Sequence, residues 1–162
     1  MRTRIVIILS VAAAIAVTAS AQHQVRQYAA KFVCGTTGLP QATAYNFAPG
    51  TYFSTINVHN PALATSTQFQ KKFALAETGE QPGKIFGWFP AVLKADETMQ
   101  IDCANIFKHL GITHPGATLI EGFVIIQLPP TRELDVVGVY TAAGNAGVSA
   151  MHMERVAGRI TQ

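Results

Sequence analysis

The sequence predicts an all-β protein with antiparallel strands and one short helix. Three features point there. The chain is a succession of short apolar or alternating runs, each closed by Gly or Pro. Only one stretch, residues 104–111, changes to a helical period. No strand–helix–strand alternation and no internal repeat is visible, which removes parallel α/β architectures.

The elements follow in chain order. "VRQYAAKFVC" (25–34) is rich in β-formers and stops at Gly35, and the loop after it carries Pro40, Pro49 and Gly50. "TYFSTINVH" (51–59) places β-branched and aromatic residues on both faces, so both faces are expected to be covered. Its alternation sets Tyr52, Ser54, Ile56 and Val58 against Phe53, Thr55, Asn57 and His59. Pro61 ends it, with Asn57 or Asn60 expected to pin the exit. "STQFQKKFALA" (66–76) resumes a strand, and "ETGEQPGK" is a polar turn. "IFGWFPAVL" (85–93), interrupted by Gly87 and Pro90, reads as a strand piece or an irregular apolar loop.

"ETMQIDC" (97–103) alternates Met99, Ile101 and Cys103 on one side, as a half-buried strand does. In "ANIFKHLG" (104–111), Ile106, Phe107 and Leu110 share a helical face and Gly111 is the stop. "ATLIEGFVIIQL" (117–128) is a long central strand, "PPTRE" turns the chain, and "LDVVGVYTA" (134–142) is its expected hairpin partner. "VSAMHMERVAGRI" (148–160) is read as one closing strand. Seven to eight strands with frequent turns predict an antiparallel immunoglobulin-like β-sandwich, with a small barrel as the rival. The Cys…Trp…Cys pattern of antibody domains does not fit, because three strands follow Cys103.

The N-terminus reads as a secretory signal peptide over residues 1–21. Met1–Arg4 is basic, Ile5–Val17 is apolar, and small residues at 19 and 21 form the cleavage pattern. The apolar run is short for a bilayer span, which takes about 20 residues. The mature chain would be one sandwich domain, 22–162, without a membrane span, secreted or periplasmic. Cleavage removes Arg2 and Arg4, so the formal charge falls from +3 to +1. With no basic run beyond Lys71–Lys72, a nucleic-acid partner is not expected. Cys34 and Cys103 are the only cysteines, and an oxidising compartment pairs them.

Several side chains invite a chemical reading. "VHN" (58–60) resembles the His–Asn stretch of blue-copper proteins, which join an early His to a later Cys, His and Met. Here Cys103, His109 and His114 follow His59, but the spacing is loose and no axial Met is in place. A disulfide at Cys103 would close that role. His59 with His109 or His114 remains the alternative copper reading. His109 and His114 flank "LGIT", which is not the i, i+4 face of a helical zinc site. In "MHM" (151–153) a strand sends Met151 and Met153 to one face and His152 to the other. Two Met filling core gaps and one surface His is the expectation.

Catalysis finds no motif. G-x-S-x-G is absent, and Asp102, Cys103 and His109 cannot form a triad while adjacent strand residues point apart. Asp96 and Glu97 read as a turn. The softer signal is aromatic: "FAPGTYF", "KIFGWFP" and Tyr45 set rings among Gly and Pro, so Tyr45, Tyr52 and Trp88 are ligand-binding suspects.

The phrases "YAAKFVCG", "TYFSTINVHNP", "FQKKFALA", "MQIDCANIF", "EGFVIIQ", "ELDVVGVYTA" and "MHMERVAGR" together resemble a set of small secreted bacterial proteins with no established activity. More distantly, the layout is similar to immunoglobulin-like sandwiches such as the sensory rhodopsin transducer. The resemblance implies a fold and carries over no catalytic residue. The functional expectation is a secreted, non-enzymatic binding or cell-envelope interaction module, without a cofactor, whose partner is a protein or a cell-surface ligand.

Overall fold

A computed structural model describes residues 24–37, 47–113, 119–144 and 147–162. The signal-peptide reading (1–21), Tyr45 and His114 lie outside the described residues. The elements are β1 (Val25–Thr37), β2 (Gly50–His59), β3 (Thr67–Ala76), β4 (Pro82–Leu93), β5 (Thr98–Asp102), α1 (Cys103–Leu110), β6 (Ile120–Leu128), β7 (Asp135–Gly144), β8 (Gly147–Arg155) and β9 (Arg159–Thr161).

All strand pairs are antiparallel, and they form an open β-sandwich in two layers. The first layer runs β4-β3-β6-β1, with β9 on the start of β1; the second runs β2-β7-β8, with β5 on the free side of β2. β1 belongs to both. It pairs with β6 from Arg26 to Cys34 and with β2 from Gly35 to Thr37. The change of partner falls at Gly35, whose φ of 115° is a conformation that side-chain-bearing residues resist. β4 and β8 are open edges, so the barrel alternative does not apply.

Alternation fills the space between layers. Tyr28, Ala30, Phe32 and Cys34 of β1 meet Ile56 and Val58 of β2, Phe69 and Phe73 of β3, and Val124, Ile126 and Leu128 of β6. α1 covers this core with Cys103, Ile106, Phe107 and Leu110. Asp102 caps it by accepting from the Asn105 amide at 2.8 Å, while Asn105 Oδ1 accepts from the Asp102 amide at 3.2 Å. Gly111, at φ 70°, ends it as its position suggested. The Cys34–Cys103 disulfide ties the first layer to the start of this helix.

Three expectations need correction, and the alternative left open for residues 85–93 resolves to a strand. β6 and β7 are not a hairpin: β6 pairs with β3 and β1, and β7 with β2 and β8. The two prolines at 129–130 start a link that carries the chain from one layer to the other, and Leu128 and Leu134 are buried on either side of it. The closing run is two strands, β8 and β9, and the total is nine among the described residues. Residues 82–93 form a continuous strand because Pro90 and Gly87 lie on a sheet edge, where a missing donor costs little. β2 is not covered on both faces, since Phe53 is 51% exposed.

Candidate functional site

The register of the second layer aligns Ser54, Tyr140 and His152 across β2, β7 and β8. Paired antiparallel residues share a face, and Ser54 belongs to the inward set with Ile56 and Val58. Tyr140 and His152 therefore point to the inner side. β8 reaches past the cover of the first layer, and every one of its nine residues is exposed. A groove of about 400 Å³ opens there, lined by Phe47, Tyr52, Ser54, Tyr140, His152 and Glu154.

The groove's aromatic side chains are fixed in place. The Tyr140 hydroxyl donates to Glu154 Oε1 at 2.7 Å, and its ring lies over His152 with centroids 6.1 Å apart and planes 15° off parallel. Burial, aided by the Glu154 carboxylate, raises the Tyr140 hydroxyl far above the usual phenol range, so it stays a donor. The Tyr52 hydroxyl donates to the Ala48 carbonyl at 2.5 Å, and Phe47 meets the Tyr52 ring edge-on at 5.5 Å. Lys31 also lines the groove; its ammonium pairs with Glu121 and sits 5.5 Å from the Phe123 ring centroid. Such a surface can stack a flat ring against aromatic faces and meet its polar edge with a carboxylate and an ammonium.

Of the aromatic suspects, Tyr52 lines this groove. Trp88 does not. It is on β4 at the far edge of the other layer, with Lys72 Nζ 4.4 Å above its ring. Of the two residues at the centre of the groove, Tyr140 was not singled out in sequence, and His152 was read only as a surface histidine, which its exposure matches. The signal was available for Tyr140, since Val136, Gly138 and Tyr140 alternate onto one face.

The histidine suspects separate. His59 is held between two carboxylates: Nε2 lies 3.0 Å from Asp96 Oδ1 and Nδ1 3.3 Å from Asp135 Oδ2. Asp135 also receives Arg155 Nη2 at 2.7 Å. The hydrogen bond to Asp96, then that to Asp135, raises the His59 pKa above 6.5. His109 instead packs between the rings of Phe73 and Phe89 at 5.0 and 4.5 Å, and its Nδ1 is 2.7 Å from the Asn105 carbonyl. Among the described residues, His59 and His109 share no hydrogen-bond or ring partner. Among the described residues no three His, Cys, Asp or Glu side chains converge as a metal group.

Cys103 is bonded to Cys34 and 9% exposed, so it offers neither a thiolate nucleophile nor a copper thiolate. Met151 and Met153 are not core fillers. They are 66% and 62% exposed on the outer face, because nothing among the described residues covers that side of β8. Asn60, by contrast, is wholly buried where β2 ends. Its Nδ2 donates to the carbonyls of Thr65, Leu93 and Lys94, and its Oδ1 accepts from Thr67 Oγ1 at 3.0 Å.

Neither a protein-family model, nor a curated protein, nor a solved structure matches this chain.

Proposed function

We propose that this chain is a secreted, non-enzymatic β-sandwich that serves as a binding module in the cell envelope or outside the cell, and that it holds its ligand in the groove between β2, β7 and β8. The observation that carries the reading is the groove itself: three aromatic rings, a histidine and a carboxylate around about 400 Å³. Pockets that bind small molecules or a partner's anchoring side chain have this mostly apolar wall with a few convergent polar groups. The ligand class that fits is a flat ring with polar edges, either a sugar ring or an aromatic side chain.

The non-enzymatic reading is supported by the loss of the Cys103 thiol to its disulfide. Secretion is supported by the basic, apolar and small-residue pattern of residues 1–21 and by that same disulfide. Among the described residues no helix is long and apolar enough to cross a membrane.

The test is a nuclear magnetic resonance screen of soluble oligosaccharides and aromatic peptides against the mature chain. Shifts should gather at residues 52–54, 140–142 and 150–154, and Tyr140→Ala should abolish them. Shifts gathered instead around Trp88, or unchanged by Tyr140→Ala, would overturn the groove as the binding site.

A further inference from the structure

The two open edges of the sandwich are built differently. β4 has the usual defences of an edge strand: Pro82 and Pro90, Lys84, and a ladder to β3 whose register shifts twice. β8 has fewer of them, with one register shift and charge only at its end, in Glu154 and Arg155. It is nine residues long without Pro or Lys, and Gly147 to Met153 contains no Asp, Glu or Arg. Its ladder to β7 is irregular only opposite Ala142–Ala143, so from Ala150 to Arg155 its outer backbone edge is straight and available. On the outer face the apolar strip continues inward: Met151 pairs with Thr141, which pairs with Phe53, and Met153 pairs with Val139.

We propose that β8 is the edge through which two copies of this chain pair, antiparallel about a two-fold axis at His152. A strand edge is complementary to its own antiparallel copy, because its donors and acceptors alternate. The sequence supplies the matching symmetry. About His152, Met151 of each copy faces the second copy's Met153, which joins the two outer apolar strips into one. Charges are compatible in the same register. Glu154 faces Ala150 and lies diagonal to His152, and Arg155 faces Ser149, so no like charges are opposed. A register centred at Glu154 would set two carboxylates against each other.

The pairing would join two β2-β7-β8 layers into one continuous sheet. It would also complete the groove. Ala150 and His152 line it, and the dyad brings the second copy's Glu154 beside Ala150, so each copy adds a carboxylate to the other's rim.

Sedimentation equilibrium of the mature chain should show a monomer–dimer equilibrium. Met153→Lys, at an exposed position, should weaken the dimer by about tenfold or more while leaving the circular dichroism spectrum unchanged. Cysteine cross-linking reads the register. His152→Cys sits at the dyad, within the Cα separation that a disulfide accepts, and should yield a covalent dimer on mild oxidation. Val148→Cys should not, since the two copies of that position would lie about 26 Å apart. A monomer at every concentration overturns the proposal. So does a dimer indifferent to Met153→Lys, or one that cross-links at 148 and not at 152, either of which would put the interface elsewhere.

Discussion

Nε2 of His59 lies 3.0 Å from Asp96 Oδ1, while Nδ1 of the same ring lies 3.3 Å from Asp135 Oδ2. An ionised carboxylate only accepts, and a neutral imidazole has one N–H to give. Both contacts are satisfied together only by the imidazolium. The three residues stand on β2, on the turn before β5, and at the start of β7, so the protonated ring joins neighbouring strands at one end of the second layer.

A pH dependence follows. The folded His59 pKa is raised above its ordinary 6.5, first by the hydrogen bond to Asp96 and then by that to Asp135. A raised pKa means that the contribution to stability is complete below 6.5 and fades as pH rises through the folded value. Asp96 is exposed and the ring partly so, and solvent screening keeps the effect small. Nitrogen-15 spectra should find both ring nitrogens protonated at 6.5, and wild type should exceed His59→Gln in melting temperature only on the acidic side. A ring already singly protonated at that pH removes the clamp.

Asn60 makes a larger demand. With its side chain wholly buried, it serves the carbonyls of Thr65, Leu93 and Lys94 and the hydroxyl of Thr67. Its main chain adds bonds to Glu97 O and from the Asp96 amide, both at 3.0 Å. Asn60→Ala strands several of these groups away from water, and a loss of about 2–4 kcal/mol is expected in urea denaturation. Asn60→Asp should be worse, because it turns an acceptor toward three carbonyls. A loss below about 1 kcal/mol for the alanine variant would mean that water replaces the amide.

These residues show what the chain discloses of itself. The short helix was legible because Ile106, Phe107, Leu110 and Gly111 state period and stop locally. The faces of β2 were legible for the same reason. The pinning of its exit narrowed to Asn57 or Asn60, since an Asn before Pro is a local turn signal. The strand partners of β6 and β7 were not, because pairing is decided by distant strands, and adjacency in sequence misled. The clamp on His59 was not legible, because its two carboxylate partners lie 37 and 76 positions away. Met151 and Met153 read as core because alternation says which residues share a face, not whether a second layer covers it.

The disulfide gives a direct chemical test. Cys34 is wholly buried and Cys103 nearly so, with their Cα atoms 5.6 Å apart and 69 positions between them in sequence. Unfolding without reductant should release no titratable thiol. Replacing both cysteines by alanine should cost about 4 kcal/mol on the chain-entropy estimate. Two thiols per unfolded chain would show the bond unformed.

Ser54 is the last case, and its function is structural although it borders the groove. Its hydroxyl accepts from the Val33 amide at 2.8 Å and donates to the Val33 carbonyl at 3.0 Å. Val33 pairs with Glu121 of β6 on one side, and on the other β1 does not join β2 until Gly35. One hydroxyl thus takes the place of a strand partner at the point where β1 leaves one layer for the other. At 2% exposure it has little access to water that could substitute. Ser54→Ala leaves an amide and a carbonyl of β1 unpaired in the interior, and about 1–3 kcal/mol should be lost. Hydrogen exchange locates the effect: the Val33 amide should lose protection selectively, while Ile56 and Val124 keep theirs. Undiminished protection at Val33 would show that β1 reaches the second layer without this hydroxyl.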